Sequence, residues 1–94
     1  MGIEEIIGTK RRAVLRLAKK YGARNVRVFG SVARRQATEA SDIDLLVDPI
    51  RLRFDPISLS LHLRKILGRD VDLVSESGLH WFVQPQVIAE AVPL

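Results

Sequence analysis

Cysteine is absent from this 94-residue chain, so disulfides and thiolate metal sites are excluded and a reducing compartment is its natural setting. Long apolar runs are absent too. The longest spans only a few residues, far below the roughly 20 needed to cross a bilayer. The opening Met1-Gly2-Ile3-Glu4-Glu5 lacks a basic segment followed by an apolar stretch and does not read as a signal peptide. There is no internal repeat and no low-complexity stretch. The two histidines, His62 and His80, stand alone without a second ligand at metal-type spacing, and neither is assigned a role. These absences leave a cytoplasmic, globular protein as the expectation, with no membrane partner.

What remains is ordinary in composition: 47% hydrophobic and 28% charged residues describe a chain that can fold around a core. The length predicts one domain over 1–94, of a size that buries only about 60–65% of its unfolded surface. Large functional surfaces would then be shared with a partner. A formal net charge of +4 suits an anionic partner such as a nucleotide, a nucleic acid or an acidic protein face. Solvated basic helix faces give the same surplus, so charge alone decides little.

Residues 3 to 21 predict an amphipathic helix. Ile3, Ile6, Ile7, Val14, Leu17, Ala18 and Tyr21 fall near 3.6-residue spacing, and Lys10, Arg11, Arg12, Arg16, Lys19 and Lys20 fill the other face. The six cations could form a nucleic-acid patch; a solvated face is the favoured reading, and nucleic acid is not expected as a direct partner. Gly22 is placed to end the helix, just past its cationic last turn. Val26-Arg27-Val28-Phe29 predicts a strand running straight into Gly30-Ser31, Val32 to Ala37 a short helical stretch, and Ser41 to Val47 a second strand stopped at Pro49. Over 57–67, Ile57, Leu59, Leu61 and Leu63 alternate with polar residues as in a strand. Asp55-Pro56 nevertheless makes a good N-cap and first turn, and Gly68 a good stop, so a crossover helix is predicted. Val71 to Val74 is a third strand, and 77–91 is mostly helical with an interruption around Pro85. This order implies an α/β fold, a small mixed β-sheet flanked by helices.

The chemistry gathers in three places. Asp42 and Asp44 are two apart in a strand and project on one face, leaving Ile43, Leu45 and Val47 to the core. Two adjacent carboxylates raise one another's proton affinity unless a cation lies between them, and a hard oxygen-seeking ion such as Mg²⁺ answers that. Asp72 lies in the third strand; if it lands beside Asp44, three carboxylates converge as two-metal phosphoryl transfer requires. Gly30-Ser31 follows the first strand directly, where glycine permits close backbone approach and serine can bond a phosphate oxygen. Arg34, one turn on, is placed to meet a phosphate. A Gly-Ser turn or an Asp-x-Asp pair alone is usually structural. Their order and their strand contexts together point to chemistry.

With Gly30-Ser31-Val32-Ala33-Arg34, Ser41-Asp42-Ile43-Asp44-Leu45-Leu46-Val47 and Val71-Asp72-Leu73-Val74 in that order, the chain resembles the minimal nucleotidyltransferase family of the DNA polymerase β-like superfamily. Leu67-Gly68-Arg69 and Glu90-Ala91-Val92 also fit that family's habit. The resemblance implies a nucleotidyltransferase, polymerase β palm-like fold. Asp42, Asp44 and Asp72 would be its catalytic and metal residues for two Mg²⁺, and Gly30, Ser31 and Arg34 would bind the ATP substrate. It also implies an antitoxin that transfers AMP to a hydroxyl, a tyrosine, on a partner HEPN-domain toxin in a hetero-oligomer. A binding-only antitoxin is the rival reading, and Trp81, Phe82 and Val83, close to Leu79, form an aromatic-apolar cluster that could seed such an interface or pack on the sheet as core, the favoured reading for Trp81. One position departs from the family: Arg35 stands where a glycine is usual. If that glycine serves a left-handed backbone, arginine there costs about 1 kcal/mol.

Overall fold

A computed structural model describes residues 1–79 and 83–94. Its centre is a four-stranded mixed sheet in the order β3-β2-β1-β4, built from β1 (Ala23–Phe29), β2 (Ile43–Pro49), β3 (Val71–Ser75) and β4 (Val92–Pro93). β1 runs antiparallel to β2 and to β4, while β2 and β3 are parallel. A parallel pair needs a crossover, and α4 (Pro56–Leu67) supplies it. The cap signals therefore outweigh the alternating pattern in this segment. The Asp55 carboxylate accepts from Ser58 N–H at 3.1 Å, Pro56 opens the helix, and Gly68 closes it at φ +69°. Leu59, Leu63 and Leu67 face inward, and Ile57 and Leu61 stay exposed.

The sheet has two different faces. Val28, Ile43, Leu45 and Val47 pack against Val14 and Ala18 of α2 (Arg11–Lys20) and against Leu59 and Leu63 of α4, forming the core. Alternation sends Asp44, Leu46 and Asp48 to the other side. Arg27, nearly buried, is held there by Asp48 at 2.8 Å and Glu76 at 2.7 Å, and its Nε donates to the Asn25 carbonyl at 3.0 Å. The β1–β2 register shifts between Arg24 and Arg27, and Asn25 there takes φ 52°. Asparagine tolerates that conformation at a bulge better than most residues do.

The fold corrects several sequence expectations. The helix over 3–21 is split into α1 (Ile3–Ile6), a 3-10 turn at Gly8–Lys10, and α2. Gly8 adopts φ +46° at the break, and the apolar stripe continues across it, so Ile7, Val14 and Ala18 are all buried. β1 begins at Ala23, three residues earlier than expected, because pairing with β2 reaches Pro49. Pro85 does not interrupt a helix over 77–91; it sits in the first turn of α5 (Gln84–Glu90), where a missing N–H costs nothing, and a separate 3-10 turn covers Glu76–Gly78. β4 was not expected, since two residues including a proline carry no strand signal of their own. Tyr21 closes the apolar stripe as expected, but its hydroxyl lies 2.6 Å from Nδ1 of His62, so that histidine has a structural partner. His80, Trp81 and Phe82 lie outside the described residues; Leu79 is half-buried and Val83 exposed. No described helix is long and apolar enough to cross a membrane.

Candidate active site

The site is made by register. In the antiparallel ladder Phe29 pairs with Asp44, and in the parallel ladder Asp44 pairs with Asp72. Asp44 therefore stands between the end of β1 on one side and Asp72 on the other. Asp42 lies just before β2 and is exposed, as Asp72 is, whereas Asp44 is half-buried. Neighbouring residues anchor this end of the sheet: Ile43 N–H donates to the Asp70 carbonyl at 2.9 Å.

Chain direction changes where β1 meets α3 (Gly30–Ala33), and Gly30 takes φ +72° there. A Cβ at this position would collide with Oδ2 of Asp44 and approach Asp44 Cγ to 3.0 Å. Glycine is thus required twice, by the left-handed backbone and by the carboxylate lying against its Cα. Ser31 follows at the second position of α3 and is half-buried. Arg34 caps α3, and Arg35 takes φ +60°. This position is left-handed, the conformation a glycine would serve without strain.

Burial pushes the Asp44 carboxyl above its usual value, and repulsion from Asp72 and Asp42 adds to the rise; Arg34 opposes it, and Glu90 reinforces it. The anionic side chains here outnumber the cations, so the site is short of positive charge. Glu90 itself is a residue that sequence reasoning placed only in a family habit, not in the site. Its Oε1 accepts from Gly30 N–H at 2.8 Å, and both its oxygens accept from Arg34 Nη1 at 3.1 Å. No sequence spacing links Glu90 to Gly30, 60 positions away; only the return of the chain through α5 and β4 does.

Among the described residues, no three acidic or histidine side chains already close around one point as a metal cage. The donor set still fits divalent-ion chemistry. It is wholly carboxylate oxygen, it is crowded at one sheet end, and its half-buried member is held in an environment that disfavours its own charge. A cation of Mg²⁺ type would relieve that repulsion, and Asp44, Asp72 and Asp42 are the residues that could hold it. A surface concavity of about 620 Å³ runs along α4 past Leu61, His62 and Lys65 and contains none of these carboxylates. It is an open trough over an exposed helix face, and the electrostatics favour the carboxylate end of the sheet as the site. The six cations from Lys10 to Lys20 are all exposed to solvent.

Comparison with known proteins agrees with this placement of elements. The family model "Polymerase beta, Nucleotidyltransferase" matches residues 14–94. The protein adenylyltransferase MntA of Thermococcus cleftensis is 41% identical over 80 residues, which cover 81% of this chain and 79% of that protein. A solved structure of a minimal nucleotidyltransferase superposes with a TM-score of 0.87 at 48% identity, covering 100% of this chain and 97% of that one. A toxin–antitoxin crystal structure with AMP-PNP shares the fold, with a TM-score of 0.72 at 24% identity over 87% of this chain and 69% of that one.

Proposed function

Because this chain belongs to the polymerase beta nucleotidyltransferase family, we propose that it transfers AMP from ATP to a tyrosine hydroxyl of a partner HEPN-domain toxin, and so acts as an antitoxin. The observation that carries the reading is the register that sets Asp44 beside Asp72 while Gly30 lies against Asp44. The names of its relatives supply the direction: one is a protein adenylyltransferase, and a structural neighbour is a toxin–antitoxin assembly with an ATP analogue.

In this reading Asp42, Asp44 and Asp72 would hold two Mg²⁺ ions. When bound, those ions supply positive charge to the triphosphate and to the attacking and leaving oxygens. Gly30 N–H, the Ser31 hydroxyl and the Arg34 guanidinium donate to phosphate oxygens and fix the triphosphate in line. Asp72, an exposed carboxylate on the strand beside Asp44, takes the proton of the acceptor hydroxyl. The acceptor oxygen then bonds to the α-phosphorus, the bond from that phosphorus to the bridging oxygen breaks, and pyrophosphate leaves. The partner covers the exposed side of the site, which this small sheet leaves open at Asp42 and Asp72.

The test is the intact mass of the partner toxin after incubation with this protein, ATP and Mg²⁺, beside an Asp44→Asn control. Added AMP units that vanish in the control support transfer, and fragmentation locates the acceptor. An unchanged toxin mass in a stable complex overturns it in favour of neutralisation by binding alone. Trp81, Phe82 and Val83 remain candidates for an interface in that second reading.

A further inference from the structure

Two of the three protein donors assigned above to phosphate are already taken. Gly30 N–H and the Arg34 guanidinium both bond the Glu90 carboxylate, at 2.8 Å and 3.1 Å. A carboxylate and a phosphate edge present the same chemistry to such donors: two or three negatively charged oxygens that accept N–H bonds. Glu90 is not held there by side-chain chance. α5 ends at Glu90, Val92 then pairs with Val28, and Leu94 N–H reaches the Val26 carbonyl at 2.9 Å, so the backbone on its C-terminal side is stitched into the sheet. Its carboxylate adds a further negative charge next to Gly30, against which Asp44 already lies.

We propose that Glu90 is an internal stand-in for phosphate: its carboxylate occupies the anion seat formed by Gly30 N–H and Arg34, and an incoming triphosphate must displace it. This rests on the reading of Gly30 and Arg34 as triphosphate donors and adds a threshold to it. The free protein keeps its donors satisfied and its α3 turn in place, and it binds nucleotide weakly until the seat is vacated. A partner that pulls on α5 or β4 would then open the site, which ties nucleotide loading to the presence of the acceptor.

The experiment compares the full chain with Glu90→Gln by titration with Mg-ATP and, separately, with inorganic tripolyphosphate. An amide-detected NMR spectrum reports the fold and the individual sites. The glutamine keeps the size and one acceptor but removes the competing charge. The expected result is roughly tenfold tighter binding of both probes, the scale of removing one like charge from a half-solvated site. In the unsubstituted protein, saturating probe should move the Gly30 amide together with those of Ala91, Val92 and Leu94. Equal or weaker binding by a folded Glu90→Gln protein would overturn the proposal and leave Glu90 as a brace for Arg34. If Glu90→Gln does not fold, Glu90→Asp carries the test. Shorter by one methylene, it loosens the hold on Gly30 and must also tighten binding; unchanged affinity refutes the idea. A gain for tripolyphosphate without a gain for ATP upholds the anion seat and removes the nucleotide reading.

Discussion

Gly30→Ala and Gly68→Ala form a matched pair that isolates the close approach of Asp44 to the backbone. Both glycines are left-handed, at φ +72° and +69°, so alanine suffers the same conformational cost of about 1–2 kcal/mol at either position. Both substitutions also reduce unfolded-chain entropy equally, a compensation of about 0.4–1 kcal/mol. They differ in surroundings. A Cβ on Gly68 meets nothing within 4 Å, whereas one on Gly30 collides with the Asp44 carboxylate and approaches Asp44 Cβ to 3.3 Å. Asp44 must move, and overpacking of this kind costs about 1–3 kcal/mol. Gly30→Ala should therefore be less stable than Gly68→Ala by about 1–3 kcal/mol. For a domain of 94 residues, that excess lowers Tm by about 4–8 °C per kcal/mol and consumes a large share of a total near 5–14 kcal/mol. Urea unfolding followed by circular dichroism measures both variants. In an Asp44→Ala background most of the excess should vanish, since the colliding oxygen is gone. Equal destabilisation by the two alanines, within about 0.5 kcal/mol, would refute the packing of Asp44 against Gly30.

Two further outcomes follow from the charges. Asp44 has its folded-state pKa raised above 3.8, so its contribution to stability is fully present below the unfolded value and is lost as pH rises through the folded one. In chelator, Asp44→Asn should accordingly be more stable than the unsubstituted protein near pH 7, with the gap closing as pH falls below about 4; saturating Mg²⁺ should reverse the order by stabilising only the aspartate form, about 2.7 kcal/mol at a hundredfold excess over Kd. Arg27→Met should cost about 1–3 kcal/mol in urea unfolding. Asp48 and Glu76, which it joins, are half-exposed and regain water, so a loss above the 3–5 kcal/mol of a fully buried pair would contradict the geometry.

The strands, the crossover helix and the sheet face of Asp44 were legible because each rests on local rules. Alternation separates Asp44 from Ile43 and Leu45, and Asp55-Pro56 with Gly68 brackets α4 despite its misleading period. The pairing of Asp44 with Asp72 could be stated from sequence only as a condition, because register between parallel strands is set by the packing of α4 beneath them. The break at Gly8 was hidden by an apolar stripe that reads through it. β4 was invisible, since Val92–Pro93 becomes a strand only by pairing with Arg27 and Val28. Glu90 escaped for the same reason. Its meeting with Gly30 depends on that strand, and a glutamate at a helix end has no local mark that distinguishes it from any solvated acid.

The division of the sheet explains how so small a chain can carry so unfavourable a cluster. Every strand of the three-strand core spends one parity on burial, and Val28, Ile43, Leu45 and Val47 with the α2 and α4 residues supply the cohesion. The opposite parity is then free to hold side chains chosen for chemistry. Arg27 joins Asp48 and Glu76 at one end of that face, where it is nearly buried and satisfied on three sides. At the other end Asp44, Asp72 and Asp42 are left in excess, with Arg34 already committed to Glu90. Repulsion localised at one sheet end raises the energy of the free protein, and a bound cation would relieve it. That relief would be binding energy directed at a cation, and the cost of the cluster is borne by a core on the far side of the same strands.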